Sequence, residues 1–308
     1  MKDDAAQETK ENRSLLLKAN NVKHLVRSAL APAALTVAGY DPSSGAGITA
    51  DLQVLTSHGV RGVSAVTALT VQSATRVTRV EPVNARLLQE TLDLLAEDEA
   101  ITAVKVGMLA RAELVEVVTR FLGKLELSRE RIVLDPVLRS SSGAELLDPE
   151  GVQRLVAELL PVVGWVTPNL AEAGILAGVE EPGREAVPGV ARRIQSLGAG
   201  HRAPGTEHRA PGADAGLNVV VTGGHLETPD DYLLTATGEE RWFPGVRVEA
   251  GSVHGSHGTG CAFSSALLCR VMLGDGPVEA VAGAKAFVTE RLLGGNSAVS
   301  IHGTIPVR

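Results

Sequence analysis

A glycine-rich segment near the C-terminus combines backbone donors with a thiol, and it runs HGTGCAFSSAL over 257–267. Gly258–Gly260 precede a predicted helix, and Cys261 falls in its first turn. N–H groups at a helix N-terminus bind anions, and glycine lets an oxyanion approach closely. A thiol in that turn is expected to have a lowered pKa and more thiolate. Taken alone, the segment fits equally well a glycine turn into a core helix with a packed cysteine.

Three polar side chains follow successive predicted strands. Asp135 lies in VLDPVL, and Asn169 and Glu172 lie in TPNLAEA. Their oxygens could order the water shell of Mg²⁺, which usually binds proteins through a few oxygens together with substrate phosphates. Asn169 followed three residues later by Glu172 is also the pattern of a helix capping box. The spacing alone leaves both interpretations open.

A second glycine-rich loop, AGYDPSSGAGITADLQ over 38–53, joins a predicted strand to a predicted helix. It lacks the lysine of a GxxxxGK[ST] phosphate loop. Asp51, one turn into the helix, could face the loop and hold a polar ligand group, or it could be an ordinary surface aspartate. Gln72 follows the next predicted strand. Its carboxamide offers one acceptor and two donors, which suit the edge of an aminopyrimidine.

Composition narrows the class of protein that carries these residues. The chain has 308 residues, 33 glycines, 3% aromatic residues and a net charge of −7. The acidic balance argues against a broad nucleic-acid-binding face. The two cysteines, Cys261 and Cys269, form no metal-binding spacing and no disulfide framework, which predicts a reduced, cytoplasmic setting. No apolar run is long enough for a membrane span or a signal-peptide core, so we expect no membrane partner.

Short apolar runs alternate with helical periods from residue 33 onward, which predicts an α/β fold. The runs are continuous rather than alternating, as expected for a central, mostly parallel sheet with helices on both faces. The predicted strands are 34–39, 62–69, 103–107, 131–135, 165–169 and 218–224, with a hairpin of 232–236 and 241–250. The predicted helices are 46–57, 87–95, 112–123, 150–159, 171–177, 187–197, 258–272 and 277–293. Ligands bind at the carboxyl edge of such sheets.

The remaining segments are predicted to lie outside this alternation. Residues 1–31 are a leader whose polar start is predicted to be disordered. HRAPGTE at 201–207 is followed by the near-copy HRAPGAD, and we interpret 200–216 as a solvated loop insertion. The chain is therefore predicted to form one domain over 32–298, followed by a tail at 299–308.

The order of the motifs resembles the hydroxymethylpyrimidine/phosphomethylpyrimidine kinases of thiamine biosynthesis, within the ribokinase-like superfamily. The segments that carry the resemblance are GYDPSSGAGITADLQ, TALTVQSAT, KVGML, VLDPVL, TPNLAEA, GGHL and HGTGC. The resemblance implies phosphorylation of an aminopyrimidine alcohol and then of its monophosphate, with ATP and Mg²⁺. It also implies a ribokinase-like fold and a homodimer.

The resemblance assigns roles by position in this sequence. The residues expected to contact the pyrimidine are Gly39, Asp51, Gln72, Met108 and Val137. Those expected to contact ATP are Asn169, Thr222, Gly224, Gly258 and Gly260. Asp135 and Glu172 are expected to serve the metal. Gly258, Thr259 and Gly260 are implied to form an anion hole, and Cys261 is implied to help deprotonate the attacking hydroxyl.

Two positions depart from the family pattern. Thr222 stands where a lysine is common, and Ser73 stands where an asparagine is common. Two other functions remain open. One is a pyridoxal or pyridoxine kinase of the same fold, and the other is a pyrimidine-binding protein without catalysis.

Overall fold

A single sheet organises the chain in the computed structural model, which describes residues 31–140, 143–180, 182–199, 216–224, 226, 228–247 and 257–293. Nine strands in these ranges pair in the order β3-β2-β1-β4-β5-β6-β7-β8-β9. They are β1 (Ala33–Tyr40), β2 (Arg61–Gln72), β3 (Val77–Pro82), β4 (Ile101–Val106), β5 (Ile132–Leu134), β6 (Trp165–Val166), β7 (Asn218–Val221), β8 (Asp231–Leu234) and β9 (Glu240–Phe243). The pairings from β2 through β7 are parallel, and those of β3, β8 and β9 are antiparallel.

Helices connect the parallel strands and cover both faces. They are α1 (Gly47–Ser57), α2 (Ala85–Asp98), α3 (Ala112–Lys124), α4 (Pro149–Arg154), α5 (Leu170–Ala177), α6 (Val187–Gly198), α7 (Thr259–Met272) and α8 (Pro277–Leu292). Helices α1, α7 and α8 pack on one face, and α2, α3, α5 and α6 pack on the other. None of the helices in the described ranges is both long and apolar enough to span a bilayer.

Strand β1 shows why its sequence forms a central strand. Its alternate side chains enter different cores: Leu35 and Val37 join the core under α2 and α3, and Ala34 joins the core under α1 and α7. Each of the three is 0% exposed. Burial on both faces requires a continuous apolar run, which is the pattern that the sequence shows.

The fold confirms the predicted α/β class with a mostly parallel sheet. Strands β6, β7 and β9 end earlier than predicted, and two further elements differ. Strand β3 was not predicted, because RVTRVEPV alternates polar and apolar residues at the edge of the sheet. The predicted helix 150–159 is α-helical only to Arg154. It continues as one π-helical turn, Leu155–Leu159, and a 3₁₀ turn, Leu160–Val162, which contains Pro161. The leader 1–31 apart from residue 31, most of the insertion 200–216 and the tail 299–308 lie outside the described residues.

Candidate active site

A cavity of about 480 Å³ opens at the carboxyl edge of the parallel strands, where the sequence predicted the ligand site. Strands β1, β2, β4, β5, β6 and β7 end beside it, and the N-terminus of α7 closes one side. All but one of the predicted site residues line it: Gly39, Gln72, Met108, Asp135, Val137, Asn169, Glu172, Thr222, Gly224, Gly258, Thr259, Gly260 and Cys261. The exception is Asp51.

The start of α7 has the geometry of an anion site. Gly258 is the N-cap and has a left-handed backbone with φ of 76°. A Cβ at this position would collide with the carbonyl oxygen of Gly45, so the loop before α7 and the loop before α1 lie in direct contact. The first amides of a helix have no acceptor within the helix. Gly258–Cys261 line the cavity, so the start of α7 lies beside the place where an oxyanion would bind.

The Cys261 thiol is neutral in the structure, which contradicts the predicted lowering of its pKa. Burial raises the pKa of Cys261 to about 12, and the carboxylates of Asp135 and Asp51 act in the same direction. Lys105 and an N–H donated by Gly47 to the sulfur favour the thiolate, but they do not offset burial. Desolvation and the neighbouring negative charges therefore raise the pKa of Cys261 more than the helix N-terminus lowers it.

Asp135, Asn169 and Glu172 come together at the ends of β5 and β6. Asn169 and Glu172 form a complete capping box on α5: the Glu172 N–H donates to Asn169 Oδ1, and the Asn169 N–H donates to Glu172 Oε2, each at 2.9 Å. The Leu138 N–H donates to Glu172 Oε1 at 3.3 Å. The capping interpretation is thus confirmed, and the same carboxylate still lines the cavity.

Two buried carboxylates at this edge are hard to ionise together. Burial and the neighbouring Asp135 raise the pKa of Glu172 to about 8. Burial also raises the pKa of Asp135, although Lys105 and a hydrogen bond donated by Ser264 Oγ at 3.0 Å lower it. A cation that reaches the pair would displace the retained proton and be held by the resulting charge.

Asp51 does not line the ligand site, because it lies beneath the floor and is 0% exposed. Its carboxylate accepts from Lys105 Nζ at 2.9 and 3.0 Å, from Ser265 Oγ at 2.8 Å and from Thr36 Oγ1 at 2.6 Å. These bonds tie β1, β4, α1 and α7 together. The predicted contact of Asp51 with a ligand is therefore wrong, and its structural role is to hold Lys105.

Lys105 is a functional candidate that the sequence analysis missed. It lies on β4, is 1% exposed and still borders the cavity. Burial alone would lower its pKa, but the carboxylates of Asp51 and Asp135 raise it overall, so the ammonium remains charged. A charged residue inside the apolar run AVKVG was the available clue, since lysine is rarely buried without a partner.

The end of β1 forms the wall predicted for the ring. Gly39 sits at a shift in the β1–β2 register, between Ala38 and Tyr40. A Cβ at Gly39 would collide with Met108 Cε, so glycine allows the methionine to lie against the strand. Met108 packs with Ala68, Ala110 and Leu146 in a small apolar cluster, against which Val137 also packs. This wall offers an aliphatic face to a flat ligand.

Asp41 and His257 are two further residues to which the sequence assigned no role. His257 Nε2 lies 2.8 Å from Asp41 Oδ2 and 3.2 Å from Gln72 Nε2. The Ser43 N–H and hydroxyl both donate to Asp41 Oδ1 at 2.8 Å, and the Ala46 N–H donates to Asp41 Oδ2 at 2.9 Å. Burial would raise the pKa of Asp41, but these hydrogen bonds, with that of His257 the strongest, lower it overall.

The predicted nucleotide side has an uncharged threonine at its centre. The Thr222 N–H donates to the Pro168 carbonyl at 2.9 Å, which pairs the ends of β6 and β7. Lys285 on α8 also lines the cavity and donates to Asp231 Oδ2 at 2.8 Å. The Gly223 N–H donates to the other oxygen of Asp231 at 2.9 Å. The Lys285 ammonium therefore supplies a positive charge on this side of the cavity, whereas residue 222 is an uncharged threonine.

Comparison with known proteins gives consistent matches. The sequence model of the phosphomethylpyrimidine kinase family matches residues 41–308. A hydroxymethylpyrimidine/phosphomethylpyrimidine kinase of Aquifex aeolicus is 37% identical over 259 residues, which is 84% of this chain and 93% of that protein. The crystal structure of phosphomethylpyrimidine kinase from Clostridium difficile has a TM-score of 0.67 and 30% identity, covering 85% of this chain and 100% of that one. Staphylococcus aureus pyridoxal kinase in complex with AMP-PCP and pyridoxal has a TM-score of 0.69 and 25% identity, covering 85% of this chain and 88% of that one.

Proposed function

The chain belongs to the phosphomethylpyrimidine kinase family, and we propose that it transfers a phosphoryl group from ATP to 4-amino-5-hydroxymethyl-2-methylpyrimidine and then to its monophosphate. The observation that carries the proposal is one cavity that joins Gln72, Cys261 and the amides of Gly258–Gly260. A ring-binding wall, an acceptor position and an anion site are the parts that such a transfer requires.

Substrate orientation comes from the two sides of the ring site. Met108 and Val137 supply an apolar surface for the ring, and Gln72 supplies a donor and an acceptor for its polar edge. The hydroxymethyl group is then directed toward Cys261 and the start of α7. Holding the two reacting groups in one orientation accounts for a large part of the catalysis of such a transfer.

Charge stabilisation during transfer comes from fixed donors. The amides at the start of α7 supply hydrogen bonds where the transferring phosphoryl group gains charge. Lys105 adds a buried positive charge on the floor. Because Asp51 holds Lys105 from below, the ammonium does not need to move during the reaction.

Proton transfer requires no preformed thiolate. The pKa of Cys261, about 12, keeps its thiol neutral at physiological pH. Phosphoryl transfer proceeds largely through a loose transition state, in which the attacking hydroxyl loses its proton late. Cys261 therefore orients the hydroxyl group by accepting its hydrogen bond, and the proton passes to an oxygen of the transferred phosphoryl group as the new bond forms.

The residues present fit Mg²⁺ that arrives with nucleotide phosphates. No group of three or more His, Cys, Asp and Glu within the described ranges is arranged to hold a metal ion by itself. Asp135 and Glu172 nevertheless place two carboxylates with raised pKa on the cavity wall, beside Asn169. They would hold Mg²⁺ through its water shell, and the ion would neutralise phosphate charge.

A kinase acting on pyridoxal is the second candidate, because the Staphylococcus aureus pyridoxal kinase has the same fold at a TM-score of 0.69. Gln72 favours the pyrimidine, since its donor and acceptor match an amino group beside a ring nitrogen. The aliphatic wall of Met108 and Val137 would accept either ring.

The experiment is ATP consumption by the purified protein with each alcohol separately. We expect turnover with the hydroxymethylpyrimidine and its monophosphate, and a diphosphate product by mass spectrometry. Turnover with pyridoxal alone would replace the proposed substrate by the second candidate. Ligand binding without any ATP consumption would favour a binding protein.

We also propose that the protein works as a homodimer in the cytoplasm. The family precedent supports the dimer, and two free cysteines in the described ranges are compatible with a reducing compartment. Light scattering during gel filtration tests the dimer. A mass close to 32.0 kDa, that of one chain, would contradict it.

A further inference from the structure

The Gln72 side chain lies between Thr70 and His257. These two neighbours determine whether the oxygen or the nitrogen of its amide faces each of them. Thr70 Oγ1 is 3.2 Å from Gln72 Oε1 and 2.9 Å from the carbonyl oxygen of Tyr40. His257 Nε2 is 3.2 Å from Gln72 Nε2. A side-chain amide can turn by 180° with little change in shape, so its hydrogen-bond partners decide its orientation.

The Asp41 carboxylate determines which hydrogen-bonding role His257 can play. Asp41 is ionised and can only accept, so the proton in the 2.8 Å contact belongs to His257 Nε2. A protonated ring nitrogen has no lone pair. The amide group of Gln72 that faces His257 must therefore be the carbonyl oxygen, which shares the imidazole proton with Asp41.

The threonine side leads to the same orientation. The Thr70 hydroxyl has one proton, and the carbonyl oxygen of Tyr40 accepts it at the shorter of the two distances. The Thr70 oxygen is then an acceptor toward Gln72, and the NH₂ group of the amide is its donor. One orientation of the amide thus satisfies Asp41, His257, Thr70 and Tyr40 together.

We propose that Asp41 and His257 are positioning residues that fix the Gln72 amide with its oxygen toward His257 and thereby select the ring that binds. This proposal deepens the proposed function and rests on it for the nature of the ring. The fixed amide has one carbonyl lone pair and one N–H left for a ligand. The lone pair can accept from a ligand amino group, and the N–H can donate to the ring nitrogen beside it. The ring therefore fits in one orientation only. A pyridine ring whose corresponding edge carries a hydroxyl group and an aldehyde presents its acceptor on an exocyclic oxygen, so its donor and acceptor lie in a different geometry.

The position of His257 is itself held by packing. A Cβ at Gly45 would collide with the imidazole ring, so Gly45 lets the ring pack closely against the loop before α1. Asp41 is 2% exposed and is held by Ser43 and Ala46. Asp41 is therefore fixed within its own loop, and His257, which packs against Gly45 and bonds to Asp41, can transmit an orientation to Gln72.

The first test is the orientation itself. In a crystal structure at about 1 Å resolution, where amide hydrogens become visible, we expect the Gln72 oxygen to face His257. Amide nitrogen facing His257 would overturn the proposal, whatever the protein binds.

The second test compares affinity for hydroxymethylpyrimidine with affinity for pyridoxal, each measured by calorimetry without ATP. His257→Leu should reduce the ratio of the two affinities about tenfold, because the amide becomes free to turn. His257→Gln, which keeps an N–H donor at similar reach, should retain the ratio within about threefold. His58→Leu is the matched control, since His58 is the other histidine of the described ranges. It bonds at the end of α1, packs on Phe287 and does not line the cavity.

A double-variant measurement separates positioning from loss of structure. In the Gln72→Ala background, His257→Leu should change pyrimidine affinity less than about twofold, because the group it orients is gone. An equal loss for both ligands, or an undiminished effect in this background, would overturn the proposal. Retained discrimination in binding without phosphorylation would instead overturn the proposed function and leave the positioning role intact.

Discussion

Lys105 supplies the positive charge on a floor that also carries two carboxylates and a thiol. It is paired with Asp51, and both side chains are at most 1% exposed. Removing one partner of a buried ion pair leaves an uncompensated charge, which costs more than removing both. The pair can therefore be tested separately for stability and for catalysis.

We predict that Lys105→Met lowers the free energy of unfolding by about 3–5 kcal/mol, because Asp51 stays buried without its counter-ion. The double variant Lys105→Met/Asp51→Leu should regain most of that stability, whereas kcat should stay at least about tenfold below wild type. Urea unfolding and steady-state kinetics measure the two effects. Recovery of kcat together with stability would show that the lysine is only structural.

For Cys261, we predict that Cys261→Ala lowers kcat and changes pyrimidine KM little, since the thiol orients the reacting hydroxyl group and does not bind the ring. Alkylation of Cys261 by iodoacetamide should be slow at neutral pH, because burial raises its pKa to about 12. Peptide mass spectrometry distinguishes Cys261 from Cys269. Rapid labelling at neutral pH would contradict a neutral thiol.

Among the elements, the first turn of α5 serves two purposes. Its capping box closes the helix N-terminus, and the same Glu172 side chain lies on the cavity wall. Burial and Asp135 raise the pKa of Glu172 to about 8 from an ordinary 4.5. The free energy of unfolding should therefore depend on pH.

The folded protein therefore keeps a proton on Glu172 at pH values where the unfolded chain has released it. We predict that the ligand-free protein loses stability as pH rises from about 5 to 8, at up to about 1.4 kcal/mol per pH unit. Glu172→Gln should reduce this slope, because glutamine does not titrate and can still cap the helix. Urea unfolding at several pH values is the measurement. Identical slopes in both proteins would contradict the raised pKa.

The loop before α7 offers a matched pair of glycines. Gly258→Ala places a methyl group against the carbonyl of Gly45 at a left-handed position, so we predict that kcat falls at least about a hundredfold. At Gly260 the nearest atom to an added Cβ is Asp135 Oδ2, at 3.9 Å, so Gly260→Ala should fold normally. Its kcat should fall less. Equal losses in both variants would show that the left-handed turn is not what the anion site requires.

At the scale of the whole molecule, the sheet places the ends of six strands along one edge. Chemistry that is scattered over more than 200 residues of sequence, from Gly39 to Cys261, therefore meets in one cavity. Insertions between elements are tolerated when they stay away from that edge.

We predict from sequence that the HRAPG repeat is such an insertion. Deleting 208–214 should leave kcat and the thermal unfolding temperature close to wild type, because the copy at 201–207 still spans the loop. Kinetics and calorimetry of the shortened chain are the measurements. A marked rise in KM would instead assign the repeat to the site as a lid.

The sequence alone determined most of the order of elements, the sheet edge at which the cavity opens, and thirteen of the residues that line the cavity. These follow from local patterns: apolar runs, helical periods and glycine-rich ends. Tertiary structure decided the ionisation states and the partners. Asp51 lies under the floor, Cys261 is neutral, and Lys105 and His257 belong to the site. A pKa or a hydrogen bond depends on the burial and charge that distant segments supply, and local spacing does not encode those.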